Sequence, residues 1–268
     1  MSIDGLVTKK ATDYVGFSRV VSFGMQDVND LSSSPAARRK ILDMFICQVD
    51  NAYMRLLKDY KTLIKEKNIV LKNDKKDEKM IGLLNVLDEK LYSYSQEISK
   101  CRLKYVSLIN KELNDLVGMI SDQHDECDLI LSQSIPFGAN KDFFIDKRKE
   151  DLQYKNCMYG PHRDDYIFNV NGKNVVKFGS QGQKKTIVLA LKMAFAKIIK
   201  DIFGEYPIIL LDDVFGELDS NRQNNLIKLF NNGAQVFITT PSISDINELL
   251  LVDANIINLE KEDNYEPR

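Results

Sequence analysis

Two acids at the end of an apolar run have the clearest chemical capacity in this sequence. Pro207-Ile-Ile-Leu-Leu-Asp212-Asp213 reads as a buried strand whose last side chains emerge as carboxylates. At the carboxyl end of a strand in an α/β sheet, such a pair opens into the crevice where ligands bind. Asp212 would hold Mg²⁺ directly or through water, and Asp213 would polarise a water attacking a terminal phosphate, the Walker B arrangement. A strand closed by an Asx-type turn without any metal has the same spelling.

Upstream, Phe178-Gly-Ser180-Gln-Gly182-Gln183 stands just before a helical stretch over 184–202. A small polar loop at a helix N-terminus offers free N–H groups and the positive end of the dipole to a phosphate. Ser180, Gly182 and Gln183 occupy the place of the ATP-binding-cassette signature, Leu-Ser-Gly-Gly-Gln. Gly216-Glu-Leu-Asp219 follows the paired acids at D-loop spacing. Three motifs in this order are more specific than any one of them. The stretch Gly179 to Thr186 also matches the P-loop pattern, with Lys185 and Thr186 at the lysine and hydroxyl positions. Lys184 stands where the pattern requires a glycine, and its side chain would crowd the turn. A free-standing P-loop phosphotransferase is therefore an alternative to the cassette reading.

These residues need an α/β frame, and the chain supplies one beside a helical region. Residues 1–34 are short and strand-like, breaking at Gly24, and Ser34-Pro35 reads as a helix entrance. From 36 to about 121 the apolar positions recur at three- and four-residue steps, interrupted by the charged stretch 73–79. After it, Leu84, Leu87, Leu91, Tyr94, Ile98, Cys101, Tyr105 and Leu108 form a heptad seam. Two long helices joined by a charged turn predict an antiparallel hairpin, either an ordinary helical subdomain or a projecting arm. From 122 onward, strands are expected at 127–132, 166–170, 175–178 (a hairpin about Asn171-Gly172), 208–211, 235–239 and 255–259. Helices are expected at 142–153, 184–202 and 220–231. Apolar strands alternating with helices predict a sheet covered on both faces. The divisions are 1–34, 35–125 and 126–268.

Charge is unevenly spread. The 268 residues carry 37 Lys+Arg, 39 Asp+Glu and a net charge of −2, which nominates no nucleic-acid or membrane partner. Residues 36–72 hold nine Lys/Arg against four Asp/Glu, so a +5 segment sits on an otherwise acidic chain. Arg38, Arg39, Lys40, Lys58, Lys61 and Lys65 make this segment a candidate phosphate-backbone surface, with an ordinary solvated helix face as the alternative. Two histidines and four cysteines without C-x-x-C spacing exclude the usual zinc and thioredoxin-type sites. Scattered thiols and the lack of a long apolar run point to a cytoplasmic protein without a membrane span.

Gly160-Pro-His162-Arg163-Asp164-Asp165, Phe178-Gly-Ser-Gln-Gly-Gln and Leu210-Leu-Asp-Asp-Val-Phe-Gly-Glu-Leu-Asp219 together resemble the RecF family, bacterial recombination-mediator ATPases related to SMC-type proteins. Ser34-Pro35-Ala-Ala-Arg38-Arg39-Lys-Ile-Leu-Asp43, Gln48 to Tyr53 and Gln235 to Thr240 extend the resemblance over nearly all the chain. It implies an α/β fold, an ABC/SMC-like ATPase sheet with an inserted antiparallel helical-hairpin arm. It also implies ATP and Mg²⁺ as cofactors, with Asp212 at the metal and Asp213 catalytic. Ser180, Gly182 and Gln183 would reach the γ-phosphate of ATP held by a second subunit, with Asp219 at that interface. The homodimer would then be ATP-dependent. Thr239 and Thr240 would form the switch region, and Gln26 or Asp27 would lie near a Q-loop. Implied partners are single-stranded or gapped DNA and RecO/RecR-type mediators, in RecA loading, recombinational repair and the SOS response. No Walker A sequence occurs in the 268 residues. The expectation is a fragment or a shortened form with little ATP hydrolysis of its own, or an inactive interaction module.

Overall fold

The computed structural model describes residues 2–3, 6–7, 18–73, 77–121, 125–136, 138–214, 223, 233–246, 248–251 and 254–259. A two-residue antiparallel pair, β1 (Ser2–Ile3) with β2 (Leu6–Val7), comes first. Strand β3 (Val20–Gly24) leads into helix α1 (Met25–Ser33). The sequence of this region has only strand-like texture, so the helix is an addition to what it predicts. The helix starts without a Ser or Thr cap: Asp27, at its third position, accepts from the Gly24 N–H at 3.0 Å instead.

Ser34 and Pro35 open α2 (Pro35–Val49) as expected, with Ser34 Oγ accepting from Ala37 N at 3.2 Å. The first of the two expected long helices, running from 36 to the charged stretch, is in fact broken at Asp50, whose carboxylate caps α3 (Asn51–Leu71) by accepting from Tyr53 N at 2.9 Å. Helix α4 (Glu78–Ser121) has 44 residues, about 66 Å at 1.5 Å per residue. It packs against α3, so the antiparallel hairpin is present. Its buried line runs through Leu84, Leu87, Leu91, Ser95, Ile98, Arg102, Tyr105, Ile109, Leu113 and Leu116. Tyr94, Cys101 and Leu108, expected on the seam, are half-buried.

Strand β4 (Cys127–Ser132) and β5 (Asp165–Val170) pair antiparallel, with a two-residue β6 (Lys173–Asn174) beyond. Between them lie short helices α5 (Phe143–Asp146) and α6 (Arg148–Tyr154) and a 3₁₀ turn at Pro161–Arg163. The inward residues of β4 and β5 include Leu129, Leu131, Tyr166 and Phe168, and β4 packs on α4. Side chains of α4 reach the β4 backbone: Asn110 donates to Leu129 O and accepts from Leu129 N, both at 2.8 Å, and Asn114 accepts from Cys127 N at 2.6 Å. Backbone groups that a further strand would otherwise pair are thereby satisfied.

The hairpin expected over 175–178 is not formed as written. Asn174 Oδ1 accepts from Val176 N and Lys177 N, turning Val175–Phe178 into a single helical turn, α7. Helix α8 (Gln181–Phe203) follows, then β7 (Ile208–Asp212), β8 (Val236–Thr239), a 3₁₀ turn at Ile243–Asp245 and α9 (Glu248–Leu251). Strands β3, β7 and β8 form a parallel sheet in that order. Residues 254–259 form no strand and are exposed, and the helix expected at 220–231 lies outside the described residues apart from Gln223.

One face of the parallel sheet, Val21, Phe23, Ile209 and Leu211, is buried, and α8 and α1 pack on its first strand. On the other face Ser22, Leu210 and Phe237 stand side by side across the strands and are exposed. Covering on both faces was expected; among the described residues only one is covered. Helix α4 lies between α8 and β4, joining the two sheets into one core.

Candidate functional site

The paired acids sit where the sequence places them. Asp212 ends β7 opposite Gly24 of β3 and Thr239 of β8. Its Oδ1 accepts from the Thr239 hydroxyl at 2.6 Å. The same Thr239 Oγ1 accepts from Asp213 N at 3.2 Å. Asp213 has a φ of 51°, the left-handed region that Asp tolerates better than most residues. Thr239 therefore fixes both the Asp212 carboxylate and the turn that follows it. Thr240 instead bonds Ser242 O at 2.8 Å.

This oxygen-only set suits a hard cation. Mg²⁺ is held by one or two carboxylates together with phosphate oxygens, not by an all-protein cage. Consistent with that, no cluster of three or more His, Cys, Asp or Glu occurs among the described residues.

Ser180 is the N-cap of α8. Its Oγ accepts from Gln183 N at 3.1 Å, and Gln183 Oε1 accepts from Ser180 N at 3.0 Å, a reciprocal capping box. Gln181, Gly182 and Gln183 are already helical, so the helix begins three residues before its expected start. The winding of Gln181–Thr186 into helix removes the loop that a P-loop needs. Thr186 is buried, and the preceding element is α7 rather than a strand. The phosphotransferase alternative fails on this geometry.

Lys192 of α8 pairs with Asp27 at 2.7 Å, just past the end of β3. Asp27 thus acts as a brace between α1, the β3 terminus and α8; Gln26 bonds Asp30 at 2.8 Å. Ser180 lies twelve residues before Lys192, about 18 Å farther along the helix axis. The chain therefore does not bring its own Ser180 and Asp212 into one cluster. Asp219 lies outside the described residues.

The basic segment divides. Arg38 is buried and bonds Asp165 through Nε and Nη2, both at 2.8 Å, and Leu31 O through Nη1 at 2.9 Å. As a surface residue for DNA it is a correction: its charge is used inside the fold. Arg39, half-buried, donates to Asp164 O. Lys40, Lys58, Lys61 and Lys65 are exposed.

His162 is a structural hydrogen-bonder. Its Nε2 lies 3.0 Å from Cys157 O, which can only accept, so Nε2 carries the proton and Nδ1 accepts from Tyr60 Oη at 2.7 Å. Gly160, with φ of 133°, is required beside it, because a Cβ would stand 2.2 Å from Tyr60 Oη. Burial pulls the imidazole down from 6.5 to about 4. Between those values the unfolded chain binds a proton that the folded chain refuses, so stability falls as pH drops through this window. The full contribution is about 3 kcal/mol. Urea midpoints at pH 7.5 and 5.0 should therefore differ less in His162→Asn than in the unmodified chain; equal acid sensitivity would remove His162 from this role. The four cysteines are unpaired. Burial raises all four thiols, Cys47 and Cys157 to about 11 and Cys101 and Cys127 to about 12, so none is poised as a nucleophile.

The geometry that the sequence does not reveal is the ion network under the Gly160–Asp165 segment. Arg102, buried in α4, donates to Pro161 O at 2.7 Å and Asp164 Oδ2 at 2.9 Å. It also meets both Asp43 oxygens at 3.0 Å and Tyr53 Oη at 3.0 Å. Arg38, Arg39 and Arg102 thus clamp one segment from two helices.

The parallel sheet whose middle strand ends in paired acids, with the long capped helix α8 packed beside it, is of the α/β ABC/SMC-like ATPase fold. No family model matches the chain. Among curated proteins, the DNA replication and repair protein RecF of Halalkalibacterium halodurans is 32% identical over 271 residues, covering 97% of this chain and 73% of the relative. That of Streptococcus thermophilus is 36% identical over 264 residues, covering 93% and 71%. A solved structure of the recombination mediator protein RecF-ATPrS in the RecFOR pathway superposes with a TM-score of 0.81 at 32% identity, covering 92% of this chain and 68% of that one. The RecF-ATP structure gives 0.80 at 28% identity with the same coverage. The chain belongs to the RecF family. No helix among the described residues is long and apolar enough to cross a membrane.

Proposed function

We propose that this chain carries the signature and Walker B elements of an ATP-switched recombination mediator acting on single-stranded or gapped DNA. The solved relatives are described as RecF bound to ATP or ATPrS, and ATP with Mg²⁺ is the cofactor pair inferred here. Asp212 would hold the metal through its free oxygen, and Asp213 would orient the attacking water. The observation that carries the reading is the position of Ser180, exposed at a helix N-terminus and about 18 Å along the axis from the brace beside Asp212. A phosphate-binding end that cannot serve its own acids is suited to ATP held by another protomer. Ser180, Gly182 and Gln183 would then contact the γ-phosphate across an ATP-dependent dimer, with Asp219 at its seam. Lys40, Lys58, Lys61 and Lys65, with Arg39, would face DNA, and RecO/RecR-type mediators would be the protein partners. RecA loading, the SOS response and a cytoplasmic location belong to the same reading.

The test is association by sedimentation with a RecF-family protomer that carries Walker A and is loaded with Mg·ATP. Ser180→Arg places a bulky cation at the phosphate-facing cap and should weaken association at least tenfold, while circular dichroism stays unchanged. Equal association of both forms would overturn the ATP-sandwich reading.

A further inference from the structure

The sharpest charge boundary in the chain falls inside its ATPase elements. Residues 171–200 hold seven lysines and no Asp or Glu, and residues 201–221 hold six acids and no Lys or Arg. The basic run contains α7 and most of α8, whereas the acidic run contains β7 with the exposed pair Asp212-Asp213. Inside the basic run, Lys192 pairs with Asp27 and Lys197 with Glu112. Lys173, Lys177 and Lys184 flank Ser180, and among the described residues no ion pair involves them; Lys173 and Lys177 are exposed. This end of α8 is about 18 Å along the axis from Lys192, where α7 packs on β5 and β6. It is a different surface from the uncovered face of the parallel sheet. Phe178, next to Lys177, is 72% exposed. Single exposed apolar side chains are ordinary, but this one is held firmly. Asn174 Oδ1 pins the start of the turn, and Gly179 N donates to the buried Val175 O at 2.9 Å. A Cβ on Gly179 would stand 2.4 Å from Val175 Cγ2, so only glycine lets the chain close on the turn.

We infer that Phe178 with Lys173, Lys177 and Lys184 forms a docking surface for the acidic, nucleotide-bearing face of a second protomer. The inference rests on the ATP-sandwich reading and adds what the protomers recognise before the phosphate contact closes. In a two-fold pair the basic end of each copy meets the acidic end of the other. The face met there carries Asp212 and Asp213, the sequence neighbours Glu217 and Asp219, and Mg·ATP, itself net anionic. Opposite patches steer the encounter, whereas an inverted arrangement sets like charges against each other. The lysines therefore govern how fast the protomers meet. Phe178 governs how long they stay, since an aromatic already held in place loses little freedom when it docks.

The test is the kinetics of association with a RecF-family protomer that carries Walker A and is loaded with Mg·ATP. Replacing Lys173, Lys177 and Lys184 together by Gln should slow association at least fivefold at low salt. At high salt, where the charges are screened, the difference should shrink below twofold, and dissociation should be unchanged throughout. Replacing Lys79, Lys90 and Lys149 by Gln makes the same change in net charge on exposed positions of α4 and α6, and should alter association less than twofold. Phe178→Ala should speed dissociation at least tenfold and leave the association rate within twofold at either salt. Circular dichroism checks that each variant is folded. A lysine variant at Lys173, Lys177 and Lys184 that associates as fast as the unmodified chain would overturn the inference. So would equal slowing by the α4 and α6 control, or dissociation of Phe178→Ala at the unmodified rate. If Ser180→Arg loses association while these variants match the unmodified chain, the ATP sandwich stands and the docking surface alone is removed. If the unmodified chain does not associate at all, both fall.

Discussion

Arg102→Met is expected to lower the unfolding free energy by about 3–5 kcal/mol, the range for removing one partner of a buried ion pair. The guanidinium is 1% exposed and serves acceptors from four places: Asp43 on α2, Tyr53 on α3, Pro161 O in the 3₁₀ turn and Asp164 beyond it. Burial opposes its charge, but Tyr166, Asp43, Tyr53 and Asp164 outweigh that and hold it charged well above the ordinary arginine range. Methionine fills much of the volume but satisfies none of these groups. Among the described residues, Asp164 keeps its bond from Ser134 N at 2.8 Å and Asp43 its bond from Tyr53. Arg102→Lys should recover little, because three donors on a flexible stem cannot reproduce a planar fork. Urea unfolding with an unchanged denaturant slope is the measurement. A loss below about 1 kcal/mol, the level of an exposed pair, would mean that the network is not what ties the hairpin to the body.

Sequence reading succeeded where one local signal decides the outcome. The strand ending at Asp212, the Ser34-Pro35 entrance and the end of α3 before the charged stretch each depend on neighbours within a few residues. It failed where two signals agree with two structures. Val49 and Tyr53 keep helical spacing whether or not the chain breaks between them, so the Asp50 cap was hidden inside an intact periodicity. Asn171-Gly172 does form its turn, yet the return strand ends after two residues because Asn174 caps a helical turn instead.

The α4 seam shows a different limit. Apolar spacing marks it in the sequence, but the buried line carries Ser95 and Arg102, and Asp88 lies buried beside it. Charged and polar residues are assigned to surfaces by default, and only their partners on α3 reveal the exception. The candidate site was similarly half legible. Asp212, Asp213 and the Ser180 cap follow from spelling, whereas the Thr239 clamp needs the register of β7 with β8. The service of Arg38 inside the fold cannot be read from a run of basic residues at all.

Lys67→Met should destabilise the chain by a comparable 3–5 kcal/mol, for a reason that concerns how the hairpin chooses its register. Tyr53 and Lys67 on α3 are two heptads apart, and they meet Arg102 and Asp88 on α4, also two heptads apart. Two polar rungs thus mark the ends of an otherwise largely apolar antiparallel seam. Sliding one helix past the other would separate both at once, and a buried polar position is the best-attested device for fixing register in such pairs. At the outermost rung the Lys67 ammonium is fully buried, 2.7 Å from Asp88 and 2.6 Å from Asp151. Asp88 also has Arg148 at 2.7 Å, so the group stranded by Lys67→Met is Asp151, left with Met158 N as its donor at 2.8 Å. Burial lowers the lysine's affinity for its proton, but the surrounding acids outweigh this and the net shift is upward. The pair is therefore fully formed below the ordinary lysine value of 10.5 and is lost only as pH rises through the folded value. The loss in Lys67→Met should accordingly be the same at pH 6 and pH 9. Adding Asp151→Leu should restore much of the stability, since the stranded charge goes with it. A strong single effect with no rescue would mean that packing volume, not the unpaired carboxylate, sets the penalty at this rung.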